Sequence, residues 1–206
     1  MTRARSRLGT ATPPRRRLGR GDWAAAALVA IGEGGIAALV IESLAERLGA
    51  TKGSFYWHFK DRDELIDAAL ERWEQKETEE VIERLRGFED PAARLRRLFE
   101  LAFGDNPGGN IDVALLADAA NPLVAPVLQR VTQRRLDFLT TAFSDLGVAP
   151  ESARYHALAA YTAYVGYFEL RRAAPSATPT GPHAREYLDH LLRALTPTGP
   201  LPTHPA

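Results

Sequence analysis

Residues 42–60 read ESLAERLGATKGSFYWHFK, from Glu42 to Lys60. Leu44, Ala45 and Leu48 share one face of a short helix expected from about Ile41 to Leu48, and Gly49 supplies the positive φ of a tight turn. Thr51 is placed to cap a third, short helix in which Phe55 and Phe59, four residues apart, lie on the buried side. Two short helices joined by a glycine turn make a helix-turn-helix, with small Ala45 letting the pair approach. The second of them turns a polar face outward.

That face has the chemistry of a duplex reader. Lys52 and Ser54 stand near a helix N-terminus, where backbone N–H groups and the dipole favour phosphate, and Tyr56, Trp57 and His58 follow. Hydroxyl, imidazole and ammonium groups set register on phosphates while a few side chains enter the major groove. Blander readings exist for single residues. Tyr56 also fits a half-buried position, Trp57 also fits packing against the following helix, and His58 also fits a structural role.

Outward from this segment the chain reads as helical throughout. Trp23, Ala27, Leu28 and Ile31 recur at helical spacing behind Asp22, a candidate N-cap, until Gly32, Gly34 and Gly35. Asp61 or Asp63 caps a long fourth helix from Glu64 to about Arg86. Further helices are expected over 92–103, 111–120, 122–146, 151–174 and 184–195, with a loop over 105–110 and Pro126 in the first turn or so of its helix. No apolar–polar alternation is long enough for a sheet, and no repeat occurs. The expected fold is all-α with about nine helices. Its divisions are a flexible basic arm over 1–20, a helix-turn-helix domain over 21–66, a larger helical domain over 67–196 and a Pro-rich tail over 197–206.

Composition bounds the chemistry. The 206 residues are 45% hydrophobic and 25% charged, an ordinary globular balance. Without cysteine there is no disulfide framework, thiolate metal site or cysteine nucleophile. No apolar run approaches the roughly 18 to 20 residues of a membrane helix, so a cytoplasmic chain with no membrane partner is expected. The formal net charge is zero, yet residues 1–60 hold ten basic and four acidic side chains, leaving an equal acidic excess in the remainder. A basic head on an acidic body points to a polyanion partner for the head alone. No phosphate-cradling P-loop, dinucleotide glycine fingerprint, HExxH pair or GxSxG elbow occurs, His156 has no companion at metal-binding spacing, and neither catalysis nor a cofactor or metal is expected.

The stretch LAERLGATKGSFYWHFKDRDELI, Leu44 to Ile66, resembles the DNA-binding signature of the tetracycline-repressor (TetR) family of bacterial transcriptional regulators. Its elements are Leu44-Ala45, Leu48-Gly49, Thr51-Lys52-Gly53, the Tyr56-x-His58-Phe59 run and Lys60. The resemblance implies an N-terminal three-helix domain that binds a double-stranded DNA operator, and a helical domain that binds a small-molecule effector and forms a homodimer through its last two long helices. It assigns Thr51, Lys52, Gly53 and Ser54 to the start of the recognition helix, Tyr56 and His58 to phosphate, Trp57 to a variable specificity position and Lys60 to a phosphate clamp. Val40 and Glu42 depart from the family's frequent cap and basic residue, which leaves Ser43 as the contact expected from the preceding helix and that helix without an evident cap.

The body offers aromatic and apolar groups for an effector, with Phe99, Phe103, Leu115, Phe138, Tyr161, Tyr164 and Phe168 as the candidates; each also suits a core. Ala159, Ala163 and Gly166 on one long helix, and Leu188, Leu191, Leu192 and Leu195 on the last, are the candidates for a four-helix dimer seam. The reading is a ligand-responsive repressor released from a pseudo-palindromic operator by a hydrophobic or aromatic effector. The alternative is a helical ligand-binding or scaffold protein that does not bind DNA.

Overall fold

A computed structural model describes residues 18–104 and 108–196. The expected arm up to residue 17, residues 105–107 of the expected loop and the tail from 197 lie outside the described residues. Within them every regular element is helical. In chain order these are α1 (Arg20–Gly34), α2 (Ile41–Arg47), α3 (Lys52–Phe55), α4 (Arg62–Glu74), α5 (Glu80–Arg86), α6 (Pro91–Phe103), α7 (Gly108–Ala117), α8 (Val124–Asp145), α9 (Pro150–Ala173) and α10 (Pro182–Leu195). A π turn over Gln75–Glu79 joins α4 to α5, so the expected fourth helix exists as one rod with a local defect that hydrophobic periodicity does not reveal. This rod crosses the expected division between residues 66 and 67 without a break. Among the described residues no helix is long and apolar enough to cross a membrane.

Caps follow local chemistry. Asp22 sits inside α1 rather than before it, where its carboxylate accepts the N–H of Gly19, the residue that flanks the helix, at 2.8 Å. Gly35 ends that helix with φ +71°, a conformation that side chains avoid. No side chain caps α2 behind Val40, as the sequence suggests. Asp61 accepts from Glu64 N–H at 2.9 Å, and Asp90 caps α6 by accepting from Ala92 and Ala93, with Pro91 in the first turn.

Two buried clusters hold the molecule. The first wraps Trp23, Ile31, Leu44, Phe55, Phe59 and Leu65 into the head, and runs on through Trp73 to Leu115, Val124 and Val131 of α7 and α8. The second packs Phe99, Phe103, Phe143, Tyr164 and Phe168 with Leu188 and Leu192 between α6, α8, α9 and α10. Head and body are therefore not merely tethered. The Ile36 N–H donates to Asp118 just past α7 at 2.6 Å, and Gly32 of α1 lies against Ile111 with no room to spare. A Cβ at Gly32 would stand 3.1 Å from the Ile111 side chain.

Candidate nucleic-acid interface and effector cavity

Thr51 caps α3 as expected, its hydroxyl oxygen accepting the Ser54 N–H at 3.2 Å while the Ser54 hydroxyl donates back to the Thr51 carbonyl at 2.8 Å. Ser54 thus braces the turn as well as facing outward. Phe55 and Phe59 are buried and stack on each other, with Trp23 edge-on to Phe55 at 5.5 Å. Their burial fixes what the rest of the segment presents. Ser43, Lys52, Gly53, Tyr56, Trp57 and Lys60 are exposed and His58 is half-buried. Trp57 is 89% exposed and Tyr56 54%, so Trp57 does not pack into the following helix.

Two features of this face are not evident from spacing. Glu42 holds the Lys52 ammonium at 2.5 Å, and that hydrogen bond, more than the charge, keeps the Glu42 carboxyl below its usual range and Lys52 above its own. The expected phosphate contact thus carries its own counter-charge. Arg20, read from sequence as the end of an arm, opens α1 instead. It donates to the His58 carbonyl at 2.8 Å and to Glu64 at 2.7 Å, and its guanidinium lies 4.4 Å from the Phe59 ring centre. Glu64 in turn accepts the Lys60 N–H at 2.8 Å. The end of the Tyr56–Lys60 run is held by backbone-directed bonds, leaving the Tyr56, Trp57 and Lys60 side chains outward.

The body contains a cavity of about 730 Å³ of empty space, its mouth included. Five of the effector candidates, Phe99, Phe103, Phe138, Tyr161 and Tyr164, line it, together with Val81, Ile82, Leu98, Leu101, Ala102, Leu139 and Ala160. Two of the candidates are corrected. Leu115 is fully buried in the head-side cluster, because α7 turns that face toward α1 and α8, and Phe168 packs edge-on against Tyr164 at 5.1 Å with its ring over Gly109.

Polar groups at this cavity escaped the sequence reading entirely. Glu77 and Thr78 of the π turn and Arg135 of α8 line it. Arg135 donates to the Thr78 hydroxyl at 2.9 Å, to the Glu77 carbonyl at 3.2 Å and to Asp112 at 2.5 Å. Asp112, only 2% exposed, also accepts from the Trp73 indole at 2.7 Å and the Tyr164 hydroxyl at 2.8 Å. Burial pushes the Tyr164 hydroxyl well above its ordinary range, with the Asp112 charge acting in the same direction. Nothing in a one-dimensional pattern joins residues 73, 78, 112, 135 and 164. A solitary Asp in the apolar run of α7 is the only hint.

The expected dimer seam divides. Ala159 is exposed, and Ala163 and Gly166 are half-buried on the outward side of α9, beside exposed Tyr155, Leu158 and Leu170. A Cβ at Gly166 would meet nothing. Leu188 and Leu192 are corrected: both are buried in their own protomer against the second core, and Leu191 and Leu195 pack on the same core half-buried. The amphipathic stripe of α10 is used within the chain. His156 is likewise structural, its ring nitrogen bonding the Leu195 carbonyl at 2.8 Å. Among the described residues no group of three or more His, Asp or Glu side chains is placed to hold a metal ion.

The model for bacterial regulatory proteins of the tetR family matches residues 24–69, the stretch that contains the helix-turn-helix and its exposed face. That stretch, under a quarter of the chain, is similar to the N-terminal domain of the tetR family. Solved structures share its fold well beyond that segment. A TetR transcriptional regulator from Legionella pneumophila superposes with a TM-score of 0.74 at 14% identity, over 89% of this chain and 100% of that one. A transcriptional regulator from Rhodococcus sp. Rha1 gives 0.68 at 22% identity over 87% and 94%. AibR, solved in complex with isovaleryl coenzyme A and operator DNA, gives 0.63 at 18% identity over 86% and 98%.

Proposed function

We propose that this chain is a TetR-family, ligand-responsive repressor that binds a pseudo-palindromic operator as a homodimer and is released by a small hydrophobic or aromatic effector. The observation that carries the reading is the joining of two things in one molecule: an outward face of Lys52, Tyr56, Trp57 and Lys60 on a head whose core continues into the body, and an apolar cavity in that body whose wall includes the connecting rod. Lys52, Tyr56, His58 and Lys60 contact phosphate, with Thr51, Gly53 and Ser54 bringing the start of α3 to the backbone, Ser43 approaching from α2 and Trp57 reaching the groove. The outward side of α9, with Ala159, Ala163 and Gly166, meets its counterpart in a second copy. Two heads then present α3 to major grooves about 34–36 Å apart.

An effector bound among Phe99, Phe138 and Tyr161 acts on the head because Thr78 and Glu77 belong to the rod whose first turns, with Leu65 and Ile66, are buried in the head core. A difference of about 1–3 kcal/mol in effector affinity between the DNA-bound and free conformations suffices for regulation. The test is fluorescence anisotropy with the DNA upstream of the chain's own and adjoining genes, repeated between about 50 and 200 mM salt. Tight, salt-dependent binding that a folded Tyr56→Ala/His58→Ala variant loses supports the assignment. Unchanged binding in that variant refutes the face.

A further inference from the structure

The effector cavity has two charged side chains in its wall, and their situations differ. Arg135 is committed: each of its three nitrogens already donates, to Thr78, to the Glu77 carbonyl and to Asp112, and the Asp112 charge behind it cancels its own. Glu77 is not. It sits in the π turn, its backbone carbonyl taken by Arg135, and among the described residues its carboxyl forms neither a hydrogen bond nor an ion pair. Burial, then the Asp112 charge, push that carboxyl above its usual range; Arg135 opposes this, Arg84 opposes it from an exposed position two turns on, and Glu80 adds to it. An acidic group kept half-buried in an aromatic cavity costs stability in the empty protein, and such groups concentrate where a ligand supplies the missing partner. An anion entering here finds the guanidinium occupied and two carboxylates nearby. A cation finds an unspent carboxylate in a wall that also holds Phe99, Phe138 and Tyr161, and aromatic rings attract positive charge.

We propose that the cavity takes an amphipathic organic cation, an amine or quaternary ammonium on an apolar body, with Glu77 as its counter-charge. This rests on the reading of the cavity as the effector site. Three probes with one ten-carbon chain and different heads test it by calorimetry on the full-length protein: decyltrimethylammonium, 1-decanol and decanoate. The cation is expected to bind at least about tenfold more tightly than decanoate. Glu77→Gln should erase that preference while leaving 1-decanol unchanged, and Glu77→Asp, which keeps the charge, should preserve its direction. Decanoate binding most tightly, or a cation affinity indifferent to Glu77→Gln in a variant whose circular dichroism matches the parent, overturns the proposal. Failure of all three probes to bind overturns both it and the cavity's role. Cation binding that leaves operator affinity untouched upholds the charge assignment and refutes only the effector reading.

Discussion

Replacing Asp112 by Ala should be the most damaging single polar change in the body. The carboxylate is 2% exposed and receives Trp73, Arg135 and Tyr164 at 2.7, 2.5 and 2.8 Å. Its loss leaves the Arg135 guanidinium, whose side chain is 14% exposed, without its ion-pair partner, and strands an indole N–H and a phenol. Breaking a buried pair from one side costs about 3–5 kcal/mol. With a urea m-value of about 3 kcal/mol/M for a chain of this size, the unfolding midpoint should fall by about 1–2 M, read by tryptophan fluorescence at fixed protein concentration because dimerisation would otherwise shift it. A double-mutant cycle isolates the cause. Arg135→Met in the Asp112→Ala background removes the orphaned charge, so the pair of changes should cost less than the sum of the two by more than about 1 kcal/mol. A single-variant cost below about 1 kcal/mol, or strict additivity, would show that the node is not what holds α7 against α4 and α8.

Three further perturbations follow from particular contacts. Glu42→Gln frees Lys52 for phosphate, so operator affinity should rise and the slope of log affinity against log salt should steepen by about one; an unchanged slope means that Lys52 does not reach the DNA. Gly109→Ala places a Cβ 2.3 Å from the Phe168 ring, itself flanked by Tyr164 and Tyr167, and should cost about 1–3 kcal/mol, with Phe168→Leu restoring part of it in the double variant. Glu77 gives a pH signature. Its carboxyl lies above the unfolded value of 4.5, so the native state holds more protons than the unfolded chain between the two pKa values, and stability falls as pH rises through that window. Glu77→Gln removes the loss. Its melting temperature should match the parent's below about pH 4 and exceed it increasingly above; a gap constant with pH refutes the assignment.

How much of this was legible beforehand depends on whether the signal was local. Thr51, Gly49 and the Phe55–Phe59 pair act within one or two turns, so spacing alone placed α2 and α3 and sorted the buried rings from the exposed face. The error at Asp22 is also local, since a carboxylate three positions into a helix bonds backward as readily as one at the cap bonds forward. Leu115 and Leu188 fail for a different reason: an apolar face says that a residue is buried, and which neighbour buries it is a tertiary fact. Phe168, Thr78 and Arg135 belong to this class too. The π turn is invisible because its sequence, Gln75 to Glu79, is an ordinary helix-forming run, and the bond from Arg135 to the Glu77 carbonyl comes from another helix.

The same contacts indicate why one short helix should transmit more than the covalent rod does. α7 meets the head through Leu115 in the shared core, through Ile111 against Gly32, and through Asp118 at its end, whose carboxylate accepts the Ile36 N–H, and it touches the cavity wall through Asp112. α4 meets the same carboxylate through Trp73. A guest that draws Arg135 or Tyr164 from Asp112 therefore loosens α4 and α7 together, and α7 has nowhere to move without pressing on α1, because Gly32 leaves it no slack and Gly35, at φ +71° with Asp118 packed against it, cannot relax. Packed elements of this kind rearrange between discrete arrangements rather than deform continuously. Asp118→Asn weakens the head end of that linkage while leaving the cavity intact, so it should leave effector affinity for the isolated protein nearly unchanged and shrink the effector's influence on operator binding. Equal influence in parent and variant would place the transmission in α4 alone.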